Sequence, residues 1–324
     1  MTKTALITGG SGFIGSALID RMSKDGWQVV NLDIKPPTLE PSNARWVYGD
    51  IMEPEGLRSI FLAAQPQLVV HLAARTDTNS GDVRDYAVNV VGTQNVVDAS
   101  AIGSVQQFIH TSTQYVAKHG TDVSDPLAFD PFTAYGESKV LSEGIIRESL
   151  EGIPWTIVRP TNIWGPKHPR YPHEFLRVLD RGLYVHPSGR KVTRTYGYVG
   201  NVADQYAQIA NPGARKVDSR ILYLGDSPID LADWVDEFSR AITGRSARRV
   251  PFAALKSVAM CGDLASKFGV RLPLTSTRLK SMTEDYVVPT NETISLLGAP
   301  PMSMTEGVRE TVAWLHAEGL VRQR

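Results

Sequence analysis

The chain has a single cysteine, Cys261, among its 324 residues. A disulfide within the chain is therefore impossible, and metal centres built from several thiolates are excluded. The seven histidines show no HxxxH or HExxH spacing, so no metal site is expected. Charge of one sign is also lacking, because 34 basic residues balance 34 acidic ones. No global field draws the chain to nucleic acid or to an anionic membrane, so any anion must be bound locally. No apolar run is long enough for a membrane span. The opening "MTKTALITGG" lacks the apolar core of a signal peptide. A soluble cytoplasmic protein is the expectation.

What is present is an alternation. "TALIT" (4–8), "QVVNLD" (28–33), "RWVYGD" (45–50), "LVVHLAA" (68–74), "QFIHTST" (107–113) and "WTIVRP" (155–160) read as buried strands. Helical patterns lie between them, at 12–26, 53–64, 83–101 and 133–150. Strands alternating with helices predict an α/β fold, with a doubly wound parallel sheet covered on both faces. After residue 160 the texture changes to a loop rich in Pro and Gly, "GPKHPRYPHEF" (165–175). Short helices follow near 173–182, 201–210, 231–242 and 305–318, with a strand at "RILYLGD" (220–226) and the rest read as loops. We expect a Rossmann-type domain over 1–165 and a smaller substrate-binding lobe over 166–324, with possible returns to the main domain.

"TGGSGFIG" (8–15) follows a strand and opens a helix, the context that a dinucleotide-binding turn requires. Gly9 permits the tight turn, Gly12 lets a pyrophosphate approach the backbone, and Gly15 allows close helix packing. Backbone N–H groups and the helix dipole then hold the anion without a basic side chain. The second strand ends in Asp33. A carboxylate there accepts from a ribose diol and repels a 2′-phosphate, which favours NAD over NADP. In "TAYGESK" (133–139), Tyr135 and Lys139 stand four apart and share one helix face.

The GxxGxxG turn and the later YxxxK together resemble the extended short-chain dehydrogenase/reductase family, in its NAD-dependent epimerase/dehydratase branch. "HLAA" (71–74), "NVVGT" (89–93), "HTST" (110–113), "RPTNIWGP" (159–166) and "YVGNVAD" (198–204) occur in the family's order, so the resemblance covers nearly the whole chain. It implies that Tyr135 is a general acid–base lowered in pKa by Lys139, and that the hydroxyl of Thr113 orients the substrate. It also implies a cofactor shell of Gly9, Gly12, Phe13, Ile14, Gly15, Asp33, Ile34, Asp50, Ile51, Leu72, Ala73, Ala74, Asn89, Thr111, Tyr135, Lys139 and Pro160. In that shell Asp50 and Ile51 flank the adenine, Leu72 to Ala74 line the channel, and Asn89 supports the strand carrying the hydroxyl.

By the same resemblance Asn162 and Arg194 contact a substrate diphosphate, as a guanidinium fork suits phosphoryl oxygens. Arg190 and Lys191 are read as surface charges. Sugar-nucleotide dehydratases of the family carry an Asp–Glu pair after the catalytic threonine, whereas this chain has Gln114 and Tyr115. Dehydration is therefore not expected. The substrate is expected to be a small molecule, a nucleotide sugar, and the activity an NAD-dependent epimerisation. A net dehydrogenase or ketoreductase is the alternative: Asn201 stands where nucleotide-sugar enzymes usually show Asp, and "RLPLTSTRLKSMTEDYVV" (271–288) resembles the sterol-dehydrogenase branch. A dinucleotide-sensing regulator would have lost Tyr135 or Lys139. The family's habit of pairing two subunits through the helices at 83–101 and 133–150 implies a homodimer.

Overall fold

A computed structural model describes residues 3–39, 41–211, 217–267, 269 and 274–322. The chain divides into two compact units. The first comprises Met1–Ile163, Gly197–Asp226 and Val288–Pro301, and the second Trp164–Tyr196, Ser227–Val287 and Met302–Arg324. The chain therefore returns twice to the first unit after Ile163.

The first unit is built on a seven-stranded sheet of β1 (Thr4–Thr8), β2 (Gln28–Asp33), β3 (Ala44–Tyr48), β4 (Leu68–His71), β5 (Gln107–Thr111), β6 (Trp155–Pro160) and β7 (Arg220–Leu224). The order is β7-β6-β5-β4-β1-β2-β3 and every pairing is parallel. Parallel strands are covered on both faces, so their apolar runs are nearly continuous. Leu6, Val69, Phe108 and Ile157 are all 0% exposed in that core, each worth about 1.5–3 kcal/mol of burial. The covering helices include α1 (Phe13–Lys24), α2 (Pro54–Ala64), α3 (Ala87–Ile102), α4 (Ala134–Ser149) and α5 (Val199–Ile209). The order of strands reverses between β1 and β4, and in such sheets ligands bind beyond the strand ends at that point.

Four strands stop earlier than the sequence suggests, β3 at Tyr48 and β7 at Leu224 among them. β4 ends at His71 and β5 at Thr111, so Leu72–Ala74 and Ser112–Thr113 lie beyond the sheet's carboxyl edge. α4 begins where Thr133, in extended backbone, accepts from the Gly136 N–H at 3.0 Å.

In the second unit, Val185–Ser188 pairs in parallel with Arg248–Pro251, and Thr193–Arg194 pairs antiparallel with Ile229–Asp230. The helix Leu231–Thr243 is capped by the Asp230 carboxylate and stops at Gly244, with φ 77°. It presents Trp234 and Phe238 to an aromatic cluster with Trp164 and Phe175. Met304–Ala317 starts in a capping box of Ser303 and Glu306. The helices Phe252–Lys267 and Ser276–Ser281 fall where the sequence read as loop. Within 271–288, residues 271–273 lie outside the described residues. Among the described residues, no helix is long and apolar enough to cross a membrane, and no group of three or more His, Cys, Asp or Glu could hold a metal.

Candidate active site

The glycine turn joins β1 to α1. Gly9 adopts φ 70°, and a Cβ there would lie 2.7 Å from the Ala73 amide nitrogen. The turn and the segment after β4 therefore touch, which brings Leu72, Ala73 and Ala74 beside Gly9. A Cβ on Gly15 would lie 2.5 Å from the Gly9 carbonyl oxygen, so this glycine lets α1 close onto its own turn. Gly12 is exposed, and a Cβ there would meet only the Gly9 oxygen, at 3.1 Å. No side chain caps α1, so its positive end, where Phe13 and Ile14 begin the helix, is open to an anion.

Asp33 stands at the end of β2 beside this turn. Its carboxylate accepts from the Ser11 N–H at 3.1 Å and the Lys35 N–H at 2.9 Å. Those bonds aim it without exhausting its lone pairs. Ile34 is 53% exposed next to it, an apolar side chain on which a flat ring could lie. Asp50 accepts from the Met52 N–H at 2.9 Å. Ile51 is 4% exposed and belongs to the core, fitting the space left by Gly92, so its side chain is structural and only its backbone could meet an adenine.

Asn89 lies on α3. It is 0% exposed. Its Oδ1 accepts from the Arg75 N–H at 2.8 Å, and its Nδ2 donates to the Arg75 carbonyl at 3.0 Å and to Ser138 Oγ at 2.9 Å. Ser138 Oγ in turn donates to the Tyr135 carbonyl at 2.7 Å. Asn89 thus ties the segment after β4 to the turn of α4 that carries Tyr135. Both of its amide hydrogens are used in these bonds, which makes it a positioning residue.

Three hydroxyls stand at the end of β5, those of Thr111, Ser112 and Thr113. Thr111 Oγ1 is bonded to Tyr206 Oη at 2.7 Å. Thr113 Oγ1 accepts from the Tyr115 N–H at 3.2 Å, which leaves its own O–H proton to donate. Both residues are 8% exposed. Thr111 is thus held by a tyrosine, the buried Ser112 Oγ has no hydrogen-bond partner among the described residues, and Thr113 keeps a proton to donate. Pro160 is buried at the end of β6.

Tyr135 is 8% exposed, with Tyr86 and Tyr115 around it at ring centroid distances of 6.2 and 6.4 Å. Lys139, one turn on, is 2% exposed. Burial pushes its ammonium down to about 8, while Glu143, another turn on, pulls it up. Glu143 and Arg159 form a two-pronged ion pair, with Nε–Oε1 at 2.9 Å and Nη2–Oε2 at 2.8 Å. Arg159 also donates to Tyr223 Oη at 3.1 Å and to the Pro126 carbonyl at 2.7 Å.

The sequence offered no role for two histidines. His71 bonds Thr8 Oγ1 through Nδ1 at 2.7 Å and Thr93 Oγ1 through Nε2 at 3.0 Å. Thr93 gives its own proton to the Asn89 carbonyl, which assigns the His71 proton to Nε2. His110 meets Ser142 Oγ through Nε2 at 3.0 Å, and its buried Nδ1 has no partner among the described residues. The rings are 5.5 Å apart. Burial, with help from the nearby Lys139 charge, lowers His71 to about 3 and His110 well below its usual value. Lys139 therefore shares its surroundings with two neutral imidazoles.

Asn162 lies in the first unit, partly buried just after β6. Arg194 lies in the second and is 4% exposed, so it is not a solvated loop charge. Its Nη2 donates to the Ser281 carbonyl, and its Nε has no hydrogen-bond partner among the described residues. Arg190 and Lys191 are exposed. Asn201 donates to Asp226 Oδ1 at 2.8 Å, and burial raises Asp226 to about 6. This amide thus serves a buried pair in the first unit.

The sequence model of the NAD dependent epimerase/dehydratase family matches residues 5–225, and the chain belongs to that family. It is similar to the N-acetyl-alpha-D-glucosaminyl-diphospho-ditrans,octacis-undecaprenol 4-epimerase of Escherichia coli O157:H7, at 25% identity over 98% of this chain and 97% of that one. It is also similar to a 3-beta-hydroxysteroid dehydrogenase of Mycolicibacterium neoaurum, at 28% identity over 83% of this chain and 79% of that one. Among solved structures, the UDP-glucuronic acid 4-epimerase of Bacillus cereus, in complex with UDP-glucuronic acid and NAD, superposes with a TM-score of 0.74. That likeness covers 97% of this chain and 99% of the other at 19% identity, and it shows the shared fold.

Proposed function

We propose that this protein is an NAD-dependent epimerase acting on a nucleotide sugar. The observation that carries the reading is Tyr135 and Lys139 on one turn of α4, the lysine buried and lowered in pKa, with the free hydroxyl of Thr113 at the end of β5. The uncapped start of α1 and the open side of Gly12 suit a pyrophosphate, and Asp33 suits a ribose diol. Lys35 is exposed, and its ammonium leaves the preference for NAD to the Asp33 carboxylate.

NAD held at these residues would supply a reversible hydride acceptor for the sugar carbon. Thr113 donates to the sugar oxygen and orients it. Tyr135, with Lys139 one turn away favouring its phenolate, takes the hydroxyl proton as the carbon is oxidised to a ketone. The same phenol returns the proton when the ketone is reduced on its other face, so no net oxidation occurs. Arg194 is assigned to a substrate phosphate, its buried Nε having no hydrogen-bond partner among the described residues. The family's name covers dehydratases, but Gln114 and Tyr115 offer no carboxylate to eliminate water, so we leave dehydration outside this reading.

The second reading is a net dehydrogenase or ketoreductase on a sterol-like alcohol, favoured by Asn201 and by the steroid dehydrogenase relative. A homodimer through α3 and α4 is part of the proposal. Val91 and Leu141 are 46% and 48% exposed on those helices, and light scattering tests the pairing. We also take the protein to work in the cytoplasm.

The deciding experiment is an absorbance spectrum of the purified protein with UDP-, GDP- and dTDP-sugars and no added NAD. Transient absorbance of reduced nicotinamide with a new sugar isomer supports the epimerase. Lasting NAD reduction, requiring added NAD and a non-nucleotide alcohol, replaces it with the dehydrogenase.

A further inference from the structure

The helix Phe252–Lys267 is apolar on two opposite faces. Inward, Leu255 and Ala259 are 4% and 0% exposed and pack with Leu279. Outward, Val258, Met260 and Leu264 are 54%, 61% and 58% exposed, and Phe252 is 39% exposed at the helix start. At 3.6 residues per turn, Met260 and Leu264 lie on the side turned away from Leu255 and Ala259. A helix apolar all round is ordinarily buried on all sides. This one leaves Val258, Met260 and Leu264 more than half exposed, which marks an interaction site.

The charge around it is equally uneven. Between residues 245 and 282 the sequence has eight basic residues, and Asp263 is its one acidic residue, in a chain that is neutral as a whole. Arg245, Arg248 and Lys256 are exposed. Arg249 and Lys280 are paired with Asp236 and Glu284, at 2.8 and 3.7 Å.

We propose that this face seats the second unit peripherally on an anionic lipid bilayer. Met260 and Leu264 enter the boundary between headgroups and acyl chains, and the exposed Arg245, Arg248 and Lys256 meet lipid phosphates. The helix has 16 residues and spans nothing. A second copy of this chain is a poorer occupant. A two-fold contact would set the same basic surface against itself, and like charges disfavour that pairing. The inference does not depend on the reaction catalysed.

The test is flotation of the full chain with vesicles of phosphatidylcholine alone, or of phosphatidylcholine with phosphatidylglycerol, across a salt series. The protein is expected to float with the anionic vesicles at low salt, to leave them as salt rises, and to ignore the neutral ones. Met260→Ser with Leu264→Ser is expected to cut partitioning about tenfold or more, since each buried CH₂ contributes to insertion. Melting temperature and turnover of a soluble substrate should not change, because neither side chain enters the core or the site. Lys256→Glu is expected to weaken binding severalfold and flatten the salt dependence. No flotation with anionic vesicles overturns the proposal, and so does flotation that the double substitution leaves intact. A dimer that the double substitution converts to monomer, without vesicle binding, also overturns it by making the face a self-association surface.

Discussion

Glu143 and Arg159 meet through two hydrogen bonds, at 2.9 and 2.8 Å, with their side chains 0% and 1% exposed. The pair joins α4 to β6 directly behind Lys139. A buried pair gains little over an apolar replacement, but removing one partner strands the other charge. Glu143→Gln is expected to cost about 3–5 kcal/mol of stability in urea unfolding. The double change Glu143→Leu with Arg159→Met should recover much of that loss. A single substitution that costs nothing would mean that Arg159 has found another anion.

Lys139 is lowered from 10.5 to about 8 by burial. Between those values the unfolded chain holds a proton that the folded one has released, so stability rises with pH across that window. Its contribution is fully present above 10.5 and is lost as pH falls through 8. Without dinucleotide, Lys139→Met is therefore expected to be more stable than the parent at neutral pH. The advantage should narrow as pH climbs past 8. Urea midpoints at a series of pH values check this, and a constant offset would argue against it.

His71 is lowered from 6.5 to about 3, chiefly by burial. Its contribution is present above 6.5 and is lost as pH falls toward 3, where the unfolded chain takes up a proton that the folded one refuses. Lys139 on α4 and the neutral His110 face it, so no carboxylate offsets an imidazolium. His71→Gln is expected to make the acid limb of the stability profile shallower. A limb of unchanged steepness would assign the acid sensitivity to other groups.

Tyr135→Phe is expected to lower kcat about 10²–10⁴-fold with the melting temperature nearly unchanged, because it removes a proton carrier and little packing. Thr113→Val should lower kcat in the same range, while Thr111→Val should act mainly on stability through its bond to Tyr206. The opposite pattern for the two threonines would reverse their roles.

Asp33→Ser removes the carboxylate from the end of β2. It is expected to weaken NAD binding by about 1–3 kcal/mol, as for a hydrogen bond to a charged group, and to relax rejection of NADP. Isothermal titration with both dinucleotides measures the change.

Much of the first unit was legible because its signals are local. A parallel strand buried on two faces needs a continuous apolar run, and "TALIT" and "WTIVRP" match β1 and β6 end to end. The helix Phe252–Lys267 was illegible for the complementary reason. Its apolar residues occupy both faces, so they draw no stripe of period 3.6. "RILYLGD" was readable as a strand, but nothing local says that β7 pairs with β6 at the edge of the main sheet.

The sequence by itself determined the alternation of strands and helices, the turn from Gly9 to Gly15, and the placing of Tyr135 and Lys139 on one helical face. Each follows from backbone geometry over a few residues. The tertiary structure alone decided that Thr111 is bonded to Tyr206 whereas Thr113 accepts only from the Tyr115 N–H, that Asn89 joins Arg75 to Ser138, and that Lys139 lies beside neutral His71 and His110. Desolvation and the choice of hydrogen-bond partner are set by groups far away in the chain, and only folding brings those groups together.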